Sequence, residues 1–205
     1  MVKLSVMQFI SGHFFVYISA YLLGNYSAGV IGMLRNLFAP LLVFFMALDN
    51  IIPKVFMRKY ENNLDQLRKY VNSVLLKGGS IVLITIVFLS IFSENIILLF
   101  YGDEYSKYYL YVLWFSFAHI IMFITRVLSN YCRTLEIMHT FAKQGLFSLI
   151  FTLVFTYPII FLWSLNGAFF IMLIQQIIIV SILVKDSKFH EKKYNDICIN
   201  NTTSY

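Results

Sequence analysis

Five ionisable side chains stand inside stretches otherwise apolar enough for lipid: Arg35 and Asp49 in "GMLRNLFAPLLVFFMALDN", and His119, Arg126 and Arg133 in "FAHIIMFITRVLSNYCR". An arginine near the centre of a membrane helix costs about 2.5–3.5 kcal/mol on insertion scales, so it reports a partner, a wet cavity or a side chain snorkelling to the headgroups. Tyr108, His119, Arg126 and Arg133 are separated by 11, 7 and 7 positions. On a helix each then falls within about 20° of the next. Below the tyrosine this is a polar stripe, with Asn130 beside it. It reads either as the cationic wall of a cavity or as a packing stripe with Arg126 snorkelling. In the first reading His119 is the one group that changes charge near neutral pH.

Arg35 shares a helical line with Gly32, Ala39, Leu42 and Asp49, all within about 60° of it. Small residues admit another helix or a ligand, and a second charge implies that this face meets protein or water. Arg35 and Asp49 lie roughly 21 Å apart along a helix, too far to pair. Lys54 or Lys77 is the expected partner of Asp49. Gln8, Gln175 and Gln176 either line the same space or join helices by hydrogen bonds. Pro40 and Pro158 each remove a backbone hydrogen bond and are the expected kinks and hinges. The candidate cavity residues are therefore Arg35, Arg126, His119, Asp49, Gln8 and Gln175.

Catalytic chemistry finds no support in the sequence. Cys132 and Cys198 are the only cysteines, and neither they nor the histidines have the spacing of a zinc site. GxSxG, HExxH and Walker sequences are lacking, as is a paired-carboxylate arrangement. No catalytic residue, metal or cofactor is assigned, which argues against a self-contained enzyme.

Composition dictates the elements that must position these groups. The 205 residues are 60% hydrophobic, 18% aromatic and only 13% charged, whereas soluble domains carry about a quarter charged residues. A membrane helix needs about 20 mostly apolar residues. Six segments qualify, at about 4–24, 28–52, 74–92, 108–129, 145–163 and 167–184. The first run exceeds the roughly 7–15 residues of a signal core and is read as a span. Barrel strands, with alternation over about ten residues, do not appear. The expected fold is all-α: a polytopic protein whose residues 1–184 form one six-helix transmembrane bundle, followed by a polar tail, 185–205, without order. "NIILLFYG" is expected along the outer interface, and "KVFMRKYENNLDQLRKYV" as a short amphipathic surface helix.

Six spans place thirteen of the sixteen basic residues at one face, with Lys107 at the other and Arg35 and Arg126 within helices. The positive-inside rule makes that face cytoplasmic, with both termini on it. The net charge of +6 then serves membrane lipid headgroups rather than nucleic acid.

The order of these features resembles a known family. "LLGNYSAGVIGMLRNLFAPLLVFFMALDNIIPKVFMRKYENN", "IILLFYGDEYSKYYLYVLWFS", "SNYCRTLEIMHTFAKQGLFSLIF" and "SLNGAFFIMLIQQIIIV" are similar to the C-terminal half of bacterial polysaccharide flippases. These form the O-antigen and capsule branch of the multidrug/oligosaccharidyl-lipid/polysaccharide exporter superfamily. The resemblance covers about residues 4–185 and is strongest at "YGDEY". It implies two pseudo-symmetric bundles around a cavity that alternates between the membrane faces of a bacterial inner membrane. The implied cargo is a sugar repeat unit on polyprenyl pyrophosphate, moved for surface polysaccharide synthesis, and Arg35 and Arg126 would meet its anionic group. Family members have two such bundles, so a fragment, a separate N-terminal six-helix lobe or a homodimer is expected, in that order. The rivals are a drug or small-molecule antiporter lobe of the same superfamily, and a polymerase or acyltransferase of glycan assembly.

Overall fold

The computed structural model describes the backbone of residues 2–202 and the side chains of residues 13–192. Within these bounds the chain is helical: α1 Val2–Leu23, α2 Asn25–Leu37, α3 Ala39–Asn62, α4 Leu64–Tyr101, α5 Asp103–Ser106, α6 Tyr111–Thr134 and α7 Met138–Thr202. Four of them, α3, α4, α6 and α7, are long and apolar enough to cross a bilayer. Large apolar side chains such as Leu99 and Leu162 stand mostly exposed, at 78% and 72%. Water would penalise that surface and hydrocarbon does not. The protein is an all-α, membrane-embedded chain.

The longest helix is folded on itself. At Ser164 the backbone leaves helical geometry (φ 51°, ψ −133°), and the two arms of α7 return side by side. Thr140 donates to Asp186 at 2.8 Å near the open end, and Gln175 donates to Ser148 further along. Close to the turn Gly167 lies against Ile159, where an added Cβ would sit 2.5 Å from the Ile159 carbonyl oxygen. Glycine is required there because backbone itself fills the space.

Several boundaries differ from the sequence expectation. The segment expected as one kinked span, 28–52, is two helices that meet at Phe38 (φ −91°, ψ 2°). Pro40 lies in the first turn of α3, where its missing N–H has no intrahelical partner to lose. The break ends the helical line that joined Arg35 to Asp49. Pro158 lies within the first arm of α7, and the backbone break falls six residues later at Ser164.

The connector expected as a surface helix consists instead of the ends of α3 and α4, with Asn63 between them. The Asn63 side chain accepts the Asp65 backbone N–H at 3.1 Å and caps α4. At the other end of α4, "NIILLFY" is its last two turns rather than an interfacial run. Gly102 (φ 84°) stops the helix there. The tail from Lys185, expected without order, continues α7. Its polar side chains find partners on the bundle: Glu191 pairs with Arg68 at 3.0 Å and accepts from Tyr131, and Asp186 meets Lys143 at 3.3 Å.

Aromatic rings dominate the core, with Phe38, Phe45, Phe56 and Phe169 fully buried. Gly78 of α4 lets Phe123 of α6 approach so closely that a Cβ would lie 2.7 Å from its ring. Opposite the Glu191 end, Tyr26 stacks on Tyr105 at 5.2 Å and donates to the Glu104 carbonyl oxygen.

Candidate functional site

The polar groups of α6 and both arms of α7 line an open cavity of about 390 Å³. From α6 come Thr125, Arg126, Ser129 and Arg133; the first arm of α7 adds Gln144 and Ser148, and the second adds Gln175 and Gln176. The helical period explains the α6 set, since Ser129 and Arg133 follow Thr125 at intervals of four. Thr125 donates to Gln176 at 3.4 Å across the cavity, and Gln175 donates to Ser148. The Gln144 side chain is buried, at 7% exposure, and its Oε1 has no hydrogen-bond partner among the described residues.

Arg126 links the cavity to α3. Its Nη1 donates to Asp49 Oδ2, Asn130 Nδ2 donates to Asp49 Oδ1 at 3.1 Å, and the guanidinium lies 5.6 Å from the Phe45 ring centre. The two charged side chains are each about one-third exposed (32% and 33%). Asp49 therefore pairs with Arg126 and Asn130, and not with Lys54 or Lys77. The reason lies in α3. Phe45, Ile52 and Phe56 are buried, and their spacing turns Asp49 toward the same packed face and onto α6, while Lys54 and Lys77 are exposed. Pairing answers the cost of placing either charge among apolar helices.

The other sequence candidates lie elsewhere. His119 is buried with its ring 4.5 Å from that of Phe38 and 5.0 Å from that of Phe115, and its Nδ1 bonds the Phe115 carbonyl oxygen at 2.8 Å. It belongs to the aromatic core and does not line the cavity. Arg35 is half-buried on α2 and makes no hydrogen bond or ion pair among the described residues. The side chain of Gln8 lies outside the described residues. Of the six candidates, the structure brings Arg126 and Gln175 to the cavity and Asp49 behind Arg126. Gln144, Ser148 and Thr125 were not singled out from sequence. The signal was present, because Thr140, Gln144, Ser148, Thr152 and Thr156 recur every four residues, so that each lies about one turn along and about 40° round from the last and the set winds slowly about the helix.

The lining offers two guanidinium groups, amides and hydroxyls, and among the described residues no carboxylate. Asp49 offsets Arg126, which leaves the positive charge of Arg133, held over Phe141 at 5.3 Å. This chemistry suits an anionic or hydroxyl-rich ligand. It supplies no nucleophile with an adjacent base. Among the described residues no cluster of histidine, cysteine, aspartate and glutamate could hold a metal ion. No family model, curated protein or solved structure matches the chain.

Proposed function

We propose that the chain is one lobe of a membrane transporter that moves a lipid-linked oligosaccharide repeat unit for surface polysaccharide synthesis. The observation that carries this reading is the cavity of about 390 Å³, with Arg126, Arg133 and six amide or hydroxyl side chains inside otherwise apolar helices. Guanidinium groups match the oxygens of a pyrophosphate, and amides and hydroxyls match sugar hydroxyls. In this reading α2 with α3 forms one crossing and each arm of α7 forms another, so that α1, α4 and α6 complete six. The end that carries Arg68, Lys143 and Glu191 is cytoplasmic by the positive-inside rule, in a bacterial inner membrane. A second six-helix bundle faces this one.

Two alternatives fit the cavity less well. A cation-receiving antiporter needs a free carboxylate, and the intramembrane Asp49 is already bonded to Arg126 and Asn130. An acyltransferase needs an accessible histidine, and His119 is sealed between rings. Arg126→Ala and Arg126→Lys, expressed in a host that depends on this gene for surface glycan, test the proposal. Alanine is expected to reduce surface glycan at least tenfold and lysine to retain part of it. Normal glycan in both variants at equal protein level would overturn it.

A further inference from the structure

Beyond the cavity, the first arm of α7 carries two buried threonines in an unusual state. A hydroxyl in a helix normally satisfies itself on the carbonyl four residues back. Ser19, Ser116, Thr125 and Thr134 all do so, at 2.7, 2.7, 2.9 and 3.0 Å. Thr152 and Thr156 do not. Both are fully buried, and neither Oγ1 has a partner among the described residues. Ser90 on α4 shares this lack but stands alone, whereas Thr152 and Thr156 follow Gln144, whose Oε1 is also unpaired, and Ser148, which already lines the cavity.

Each step of four residues advances roughly 6 Å and turns about 40°. Thr152 therefore lies about 40° and Thr156 about 80° round from Ser148, on a polar spiral that leaves the cavity lining and runs toward the Ser164 turn. A native structure retains such buried, unpartnered polar atoms for a reason, since an apolar side chain of the same shape would avoid their cost. We propose that this spiral on α7 is a polar track that extends the cavity and becomes hydrated when the bundle opens. The track bears hydroxyls and an amide without charge, the chemistry that hydrogen-bonds water and, on the transporter reading that this inference rests on, the hydroxyls of a sugar cargo.

Single cysteines in a Cys132→Ala, Cys198→Ala background of the full chain, kept in its native membrane, test this with the impermeant reagent methanethiosulfonate ethylsulfonate. Ser148→Cys reports the cavity and Ile150→Cys, half-exposed on the outside of the bundle (50%), reports lipid. Thr152→Cys and Thr156→Cys are expected to react at least tenfold faster than Ile150→Cys. Both reacting as slowly as Ile150→Cys while Ser148→Cys reacts would overturn the track alone. An unreactive Ser148→Cys would overturn the cavity as well. A companion measurement does not depend on the cysteine variants folding. Thr152→Val and Thr156→Val should each raise the melting temperature, because they remove a buried hydroxyl that has no partner among the described residues. A lowered melting temperature would show a partner for that hydroxyl and defeat the proposal.

Discussion

Asp49 and Arg126 show how two costly side chains make each other tolerable. Either charge alone among apolar helices is penalised, and together, with Asn130 on the second carboxylate oxygen, they form a charge-assisted network between α3 and α6. Removing one partner of a fully buried pair costs about 3–5 kcal/mol; at one-third exposure the expected loss is smaller, about 1–2 kcal/mol. Asp49→Asn and Arg126→Gln should each lower stability by that amount. The double variant should lose less than their sum, with a coupling of about 1 kcal/mol. Thermal unfolding of the four proteins in one detergent measures this, and additive losses would mean that the pair does not interact in solution.

At the scale of elements, the hairpin of α7 supplies half of the cavity and depends on two backbone positions. Ser164 holds φ 51° with ψ −133°, a region that a side chain disfavours and glycine adopts freely. Ser164→Gly should therefore stabilise the hairpin by about 1 kcal/mol. Gly167→Ala should do the opposite. Its Cβ would meet the Ile159 carbonyl oxygen, so the arms must separate at a cost of about 1–3 kcal/mol. Melting temperatures of both variants test the pair, and a neutral Gly167→Ala would show that the arms are not so closely packed.

At the scale of the molecule, the continued α7 ties three elements together at one end. Glu191 receives Arg68 of α4 and Tyr131 of α6, and Asp186 receives Thr140 and Lys143. Glu191→Ala should leave the bundle folded and free the end of α7, because a partly exposed ion pair contributes only about 1 kcal/mol. Limited trypsin digestion reads this directly. Cleavage after Lys188 or Lys192 should accelerate several-fold in Glu191→Ala, with an unchanged melting temperature for the rest. An Arg68→Glu, Glu191→Arg exchange should restore part of the protection.

The sequence by itself determined the class of protein and the identity of the costly residues. Apolar runs near 20 residues leave no solvent except lipid for their side chains, and a charge inside such a run is conspicuous whatever the fold. Spacing along α6 also placed Arg126 and Arg133 on one face, because a single unbroken helix preserves its own geometry. The same argument failed for Arg35 and Asp49, where the chain breaks at Phe38 and the wheel no longer applies. Partners across helices were beyond reach from spacing, since which face of α3 meets α6 depends on how Phe45, Ile52 and Phe56 pack. His119 looked identical in kind to Arg126 from its position on the stripe, yet about two turns of difference in depth and two neighbouring rings put it in the core. Only the tertiary structure could decide these matters, because pairing, burial and cavity all arise between elements, while periodicity describes one element at a time.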